Sequence, residues 1–302
     1  MGTLLRMNRR QILGYGAGLA ALITAGPVFA AAAPEAERFT VETRGKGRDV
    51  ILIPGLSSSR AIWEPTAKAL EGRYRVHLVQ VAGFAGAPVA GNAAGAVVAG
   101  VTEGLAGYIQ AKGLKAPAVI GHSMGGTIGM ELAARHPDRV GRLMVVDMFP
   151  KLAVAFFGPT VTAEQIAKNA AMIRDGMVNT SAEQAAAQQR QTIAGMVKTE
   201  SAREAITQQA LASDRDVSGR AMEELLLTDL TPELGRITAP TTVLHAFDKA
   251  GPFPAATVDG WYAGAYAPLK GAKLIRIDDT AHFIMVDQPD RFQAEVEAFL
   301  KG

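Results

Sequence analysis

Gly121-His122-Ser123-Met124-Gly125 has the pattern Gly-x-Ser-x-Gly and directly follows the apolar run Ala118-Val119-Ile120. Residues 126–134 are predicted to form a helix that begins at once. A strand that becomes a helix within a few residues strains the backbone at the bend, and flanking glycines prevent side chains from colliding there. We therefore predict that the Ser123 hydroxyl projects from a sharp turn, beside helix N-terminal N–H groups that can bind an oxyanion.

Around this turn, short β-branched runs alternate with helical stretches, and the first run, 38–43, has the alternating pattern of an edge strand. The predicted strands are 38–43, 49–53, 75–81, 116–120, 142–147, 241–245 and 272–277. Near-continuous apolar strands separated by helices indicate an α/β fold with a parallel sheet covered on both faces. The active site of such a sheet lies beyond the carboxyl ends of its strands.

Residues 151–235 interrupt this alternation. They are rich in Ala, Gln, Glu and Met, and helix starts are predicted at Thr162-Ala163-Glu164 and Ser181-Ala182-Glu183. We expect a helical insertion that forms a lid over the strand ends. Residues 34–150 and 236–302 would then form the core.

The first 33 residues have the pattern of an export signal. A basic segment with Arg9-Arg10 precedes a short apolar stretch, 14–25, and the small residues 30–33. The paired arginines resemble a twin-arginine signal, and the apolar stretch falls short of the ~20 residues that a membrane span needs. We expect a periplasmic or secreted protein, without stable membrane insertion after the signal is cleaved.

Composition excludes several function classes. The chain has 302 residues, no cysteine and a formal net charge of +2, to which Arg6, Arg9 and Arg10 of the export segment contribute three positive charges. The absence of cysteine excludes disulfides, thiol catalysis and cysteine-ligated metals. The near-neutral remainder gives no indication of nucleic-acid binding, and the five scattered histidines predict no metal site. We expect no cofactor.

A serine hydroxyl needs a base to act as a nucleophile, and the base needs an acid to orient it. His282 follows the last predicted strand, where an imidazole can reach over the strand ends to Ser123. His122 should point away from the hydroxyl. We therefore predict His282 as the base.

Two aspartates are candidates for the orienting acid. Asp248 follows the strand that ends at His245 and gives the chain order Ser, Asp, His. Asp147 ends the preceding strand, where a carboxylate can also approach the imidazole. We predict Asp248, with Asp147 as the alternative.

The oxyanion donors are predicted from two backbone positions. Pro54-Gly55-Leu56 forms the turn after the strand 49–53, and Gly55 lets the backbone bend close to the serine. The N–H groups of Leu56 and Met124 would together form the oxyanion hole.

This order of motifs resembles the α/β-hydrolase superfamily over the chain after about residue 38. The segment 281–289, Ala-His-Phe-Ile-Met-Val-Asp-Gln-Pro, is similar to the histidine-bearing segment of its lidded, esterase-like members. The resemblance implies a mostly parallel, eight-stranded sheet flanked by helices, and a triad of Ser123, His282 and Asp248.

We therefore expect a serine hydrolase that cleaves a small-molecule carboxylic ester, or a lactone, through an acyl-serine intermediate. Two alternatives remain at this stage. The same scaffold could act on an amide or a carbon–carbon bond, or it could be a non-catalytic exported binding protein.

Overall fold

The computed structural model describes residues 37–301. The predicted export segment, residues 1–33, lies outside the described residues. Seven strands form one sheet in the spatial order β1-β3-β2-β4-β5-β6-β7, with β1 antiparallel to β3 and the other pairs parallel. The strands are β1 (Phe39–Arg44), β2 (Arg48–Ile53), β3 (Tyr74–Val81), β4 (Ala118–His122), β5 (Arg142–Val146), β6 (Thr241–Phe247) and β7 (Lys273–Asp278).

Eleven α-helices accompany this sheet within residues 37–301. They are α1 (Glu64–Leu70), α2 (Val98–Ala111), α3 (Met124–Arg135), α4 (Leu152–Phe157), α5 (Ala163–Asn179), α6 (Ala182–Met196), α7 (Glu200–Leu211), α8 (Arg215–Leu227), α9 (Ala255–Tyr266), α10 (Ile284–Asp287) and α11 (Pro289–Lys301). The predicted α/β architecture, with a mostly parallel sheet flanked by helices, is confirmed.

The strand count differs from the eight that the resemblance implied. The apolar runs of the sequence indicated seven strands, and the described residues contain seven. From residue 37 onward, β1 is the one strand before β2, and it pairs with β3 rather than with β2. The expected number of eight strands was therefore wrong for residues 37–301, because these residues form only seven extended segments.

Both faces of the sheet are buried along its central strands. In β2, Val50 and Leu52 pack on one side, and Ile51 and Ile53 pack on the other. Successive side chains of a strand point to opposite faces, so a strand that is covered on both faces must be apolar throughout. Helices α2 and α3 cover the second of these faces, and α1 and α11 cover the first.

Five helices, α4–α8, lie between β5 and β6. The two predicted helix starts are confirmed: Thr162 caps α5 with a capping box, and Ser181 caps α6 by accepting the Gln184 N–H. Helix α8 is fixed to the core by Glu224, whose carboxylate accepts three N–H groups from the first turn of α2 at 2.7–2.8 Å. Among the described helices, none combines the length and apolar character that a membrane span requires.

Candidate active site

The turn between β4 and α3 has the predicted strained geometry. Ser123 has φ 52° and ψ −121°, a conformation that costs a non-glycine residue of the order of 1–3 kcal/mol. A Cβ atom on Gly121 would overlap the backbone of Gly125, and a Cβ atom on Gly125 would overlap the backbone of Ile53. The two flanking glycines are therefore required by close backbone contacts, and Ser123 is held at the tip of the turn.

Ser123 lines a cavity of about 520 Å³ at the carboxyl ends of the strands. The core contributes Leu56, His122, Asp147 and His282 to its wall, and the helices between β5 and β6 contribute mainly apolar side chains. These include Leu152, Met177, Ile193, Met196, Met222 and Leu225. The nucleophile and the base predicted from the sequence thus face one predominantly apolar space.

Asp147 is the carboxylate in contact with His282. Its Oδ2 atom lies 2.7 Å from His282 Nδ1, and its Oδ1 atom accepts hydrogen bonds from the Ala246 N–H and the Tyr262 hydroxyl, both at 2.9 Å. Asp147 also has a positive φ of 52°. Two strained residues, Ser123 and Asp147, therefore follow the adjacent strands β4 and β5, and strain of this kind clusters at functional sites.

The surroundings of Asp147 keep it ionised. Burial acts to raise the pKa of this carboxyl, but the hydrogen bond and the charge of His282, with the Ala246 and Tyr262 donors, lower the pKa below its ordinary value. Burial and the nearby Asp147 charge raise the pKa of Tyr262 well above its ordinary value. The Tyr262 hydroxyl therefore stays protonated and donates to the carboxylate.

The choice of Asp248 as the orienting acid is corrected by these contacts. The Asp248 carboxylate bonds Lys198 Nζ at 2.7 Å and the Ala250 N–H at 3.0 Å, and it does not contact the imidazole. Its side chain is 34% exposed, whereas that of Asp147 is 13% exposed. Lys198 holds Asp248 at the surface, while β5, the immediate neighbour of β4, brings Asp147 to the ring.

His122 lies behind the base. Its Nε2 atom is 3.0 Å from the carbonyl oxygen of His282, so Nε2 carries the proton and donates it. The ring is buried, and burial, with the nearby His282, lowers the pKa of His122 to about 3. This neutral histidine supports the loop that carries His282.

The residues of the two predicted oxyanion donors lie next to Ser123. Met124 is the first residue of α3, and Leu56 lines the cavity. A Cβ atom added to Gly55 would lie 3.2 Å from Ser123 Cβ, so the turn before Leu56 packs directly on the serine. Neither the Leu56 nor the Met124 N–H donates to another described residue, and both remain available to a ligand.

Residues from the helices between β5 and β6 hold the turn that follows Leu56. The hydroxyls of Ser57 and Ser218 are 2.8 Å apart, and the Ser59 N–H donates to Gln209 Oε1 at 3.0 Å. Ser57 has a positive φ of 55°. The conformation of this turn therefore depends on α7 and α8 as well as on the core.

Asp287 makes a second connection between the same helices and the site. Its carboxylate accepts the N–H groups of Lys198 and Thr199 at the start of α7, and the N–H of Ala281 beside His282. Burial acts to raise the pKa of Asp287, but these donors lower it below the ordinary value. Sequence analysis missed this role and that of Tyr262, since neither residue belongs to a local motif of the serine turn.

Within residues 37–301, no group of three or more histidine, aspartate and glutamate side chains is arranged to hold a metal ion.

Comparison with known proteins gives a family match over most of the chain. A model described as "Alpha/beta hydrolase family" matches residues 50–295. A pimeloyl-acyl-carrier protein methyl ester esterase of Aeromonas hydrophila is 35% identical over 111 residues, which are 37% of this chain and 42% of that protein. The protein of the same name from Chromobacterium violaceum is 30% identical over 211 residues, which are 68% of this chain and 77% of that protein.

The first of these matches is partial: the chain spans about two fifths of the length of the Aeromonas protein. Solved structures match over more of their length. An esterase from Exiguobacterium antarcticum superposes with a TM-score of 0.71 at 19% identity, covering 87% of this chain and 96% of that chain. An enol-lactonase from Burkholderia xenovorans superposes with a TM-score of 0.68, also at 19% identity and with the same two coverages. At these identities the superpositions show a shared fold.

Proposed function

Because the chain belongs to the alpha/beta hydrolase family, we propose that it is a serine hydrolase that cleaves carboxylic esters through an acyl-serine intermediate. The observation that carries this proposal is the 2.7 Å contact between His282 and the Asp147 carboxylate, whose side chain is 13% exposed, in the cavity that Ser123 lines. The names of the relatives, pimeloyl-acyl-carrier protein methyl ester esterases, support an ester as the substrate.

In the proposed reaction, His282 Nε2 removes the proton of the Ser123 hydroxyl as Oγ attacks the ester carbonyl carbon. Nδ1 of the same ring donates to Asp147, which fixes the tautomer and stabilises the imidazolium that forms. The proton then passes to the departing alcohol as the bond between the carbonyl carbon and the alcohol oxygen breaks. A water molecule, deprotonated by His282, attacks the acyl-serine and releases the acid.

The Leu56 and Met124 N–H groups are proposed to bind the oxyanion of each tetrahedral intermediate. The supporting observations are that neither N–H donates to another described residue, that Met124 directly follows Ser123, and that the turn before Leu56 packs on Ser123. The Met124 N–H also lies at the start of α3, where the helix dipole favours negative charge. Loss of one such donor from an oxyanion hole costs about 3 kcal/mol of transition-state stabilisation.

We further propose that α4–α8 form the lid expected from the sequence. Their side chains line the cavity, and an apolar enclosure that excludes water strengthens the electrostatic interactions inside it. Export by the twin-arginine-like segment also remains a proposal, tested by locating the full-length protein and a variant with Arg9 and Arg10 replaced by lysine in cell fractions.

The proposed function is tested with purified protein and short p-nitrophenyl esters. Wild-type protein should release p-nitrophenol and react with a fluorophosphonate probe. Ser123→Ala, checked for folding by circular dichroism, should do neither. Hydrolysis that survives this substitution would contradict the mechanism, and a folded wild-type protein that fails both assays would favour a non-catalytic binding protein.

A further inference from the structure

The cavity wall contains one arginine. Arg215 is the first residue of α8, and within the described wall the other charged group is Asp147, which is already bonded to His282. The remaining wall is predominantly apolar. Arg215 is half-buried, and moving a cation out of water beside apolar groups costs free energy unless the charge is paired.

The hydrogen bonds of Arg215 account for only part of its guanidinium. Nε donates to the Met177 carbonyl oxygen at 2.8 Å, and Nη2 donates to the Thr180 carbonyl oxygen. These acceptors lie at the end of α5, so two of the three nitrogens cap that helix. Nη1 makes no hydrogen bond to another described residue, and no described carboxylate lies within 4.0 Å of the guanidinium.

The sequence around Arg215 in α8 contains carboxylates, but none of them pairs with its guanidinium. Arg215 stands between Asp214, which caps α8, and Asp216, which pairs with Arg220, and neither carboxylate contacts its guanidinium. The guanidinium has a fixed fork of five N–H donors that matches a carboxylate. Two backbone carbonyls leave the net charge uncancelled, and they leave Nη1 free to donate.

The arginine lines the same cavity as the proposed reaction centre. Ser218 follows Arg215 by three residues in α8, on the same helix face, and its hydroxyl is 2.8 Å from that of Ser57, next to the oxyanion turn. Gln188 and Gln189 of α6 line the same cavity, and their side-chain amides make no hydrogen bond to another described residue. Donors for an anion are thus present in the wall of the same cavity that Ser123 lines.

We infer that the cavity selects esters whose acyl chain ends in a free carboxylate, which is bound by Arg215. The substrate class is therefore the half-ester of an aliphatic dicarboxylic acid. One carboxyl is esterified and is attacked by Ser123, while the other is ionised and pairs with the guanidinium. This inference rests on the proposed ester hydrolysis and adds the chemistry of the far end of the acyl chain.

The test compares two matched chromogenic esters. One is the mono-p-nitrophenyl ester of adipic acid or a longer diacid, and the other is the same compound with its free carboxyl methylated. Shorter diacids are avoided because their free carboxylate expels p-nitrophenol without an enzyme. The kcat/KM of the wild-type protein should be roughly tenfold to a hundredfold higher for the free acid than for its methylated counterpart, as expected for a charge-assisted hydrogen bond.

Variants assign this preference to one side chain. Arg215→Gln should abolish the preference by lowering kcat/KM for the free acid alone, and Arg215→Lys should retain part of it. Arg190→Gln is the matched control, because Arg190 lies exposed in α6 and outside the cavity wall. If Arg215→Gln lowers kcat/KM equally for both esters, Arg215 serves only to cap α5 and the inference is overturned.

Two further outcomes separate the inference from the proposed function. Wild-type protein that hydrolyses both esters equally overturns the inference and leaves the ester hydrolase intact. If neither ester is hydrolysed, the proposed function fails, and calorimetric titration with monomethyl adipate then decides the inference. If the wild-type protein binds monomethyl adipate and Arg215→Gln does not, the inference is supported. If Arg215→Gln binds it as well as wild type does, the inference is overturned.

Discussion

The Nδ1 atom of His282 lies 2.7 Å from Oδ2 of Asp147, a carboxylate that follows β5 rather than β6. The aspartate after β6, Asp248, is instead paired with Lys198 in a contact whose two side chains are each about one-third exposed. The chain therefore has an aspartate after each of these two strands, and only one of them can orient the imidazole. Substituting each aspartate separately distinguishes a catalytic carboxylate from a surface ion pair.

Asp147→Asn should lower kcat by roughly 10³- to 10⁴-fold, because an amide in place of the carboxylate favours the wrong imidazole tautomer and leaves the imidazolium unpaired. Steady-state kinetics with a p-nitrophenyl ester measures this loss. The control is Asp248→Asn, which removes an exposed ion pair worth about 1 kcal/mol or less and should change kcat by less than roughly fivefold. A larger loss in Asp248→Asn than in Asp147→Asn would contradict the assignment.

Tyr262 is expected to act through Asp147. Tyr262→Phe removes the hydroxyl that donates to Oδ1 at 2.9 Å, so the carboxylate should be held less firmly and its pKa should rise. Hydrogen bonds to charged groups contribute about 1.5–3 kcal/mol, and we expect kcat to fall by roughly tenfold with KM little changed.

The neighbouring Tyr266 provides the control for that substitution. It is equally buried, but its hydroxyl donates to the neutral Met148 carbonyl oxygen at 2.7 Å. Tyr266→Phe should reduce the free energy of unfolding by about 1 kcal/mol and lower kcat less than Tyr262→Phe does. Equal losses of kcat in the two variants would indicate a packing role for both rings.

The part of the site that could be predicted from sequence is the part encoded locally. Gly121 packs against the backbone of Gly125, and Gly125 packs against the backbone of Ile53 on the adjacent strand β2. The spacing of these two glycines around Ser123 is visible in the sequence. The central strands could be located because both sheet faces are buried there, which makes strands such as β2 apolar runs, and the edge strand β1 has an alternating pattern. His282 was identified by its position after the last strand.

The acid could not be assigned in the same way, because the choice depends on contacts between distant segments. Tyr262 is 115 residues from Asp147, and Lys198 is 50 residues from Asp248. These two side chains determine which carboxylate is buried at the ring and which is held at the surface. Neither contact has a spacing that sequence alone can reveal.

Asp287 is expected to position His282 and to stabilise the fold. Its carboxylate accepts N–H groups from Lys198, Thr199 and Ala281, so it ties the start of α7 to the loop that carries the base. Asp287→Asn presents an amide N–H₂ to some of these donors and leaves them unpaired. We expect the free energy of unfolding to fall by roughly 2–3 kcal/mol. We also expect a larger loss of kcat than in the control variant Asp290→Asn.

Asp290→Asn is that control, since Asp290 is an exposed residue in the first turn of α11 with no hydrogen bond to another described residue. Urea unfolding gives the free energy, and kinetics at a temperature where both variants are fully folded gives kcat. Unfolding free energies that match within about 0.5 kcal/mol would show that the Asp287 contacts carry no net stability.

His122 should make the stability of the protein depend on pH. The folded protein holds its pKa at about 3 through burial, whereas an unfolded histidine titrates near 6.5. Between these two values the unfolded chain binds a proton that the folded chain does not. The free energy of unfolding therefore falls as the pH falls from 6.5 toward 3, by up to roughly 1.4 kcal/mol per pH unit for this one group.

His122→Gln removes the titrating ring and keeps an N–H that can donate to the His282 carbonyl oxygen. Urea unfolding at intervals between pH 4.5 and 6.5 gives the free energy of unfolding as a function of pH. The slope of this dependence should be smaller in His122→Gln than in wild type by roughly 1.4 kcal/mol per pH unit, which corresponds to about one bound proton. A slope unchanged by His122→Gln would show that this ring is protonated in the folded protein, and its proposed role as a neutral support for the His282 loop would be wrong.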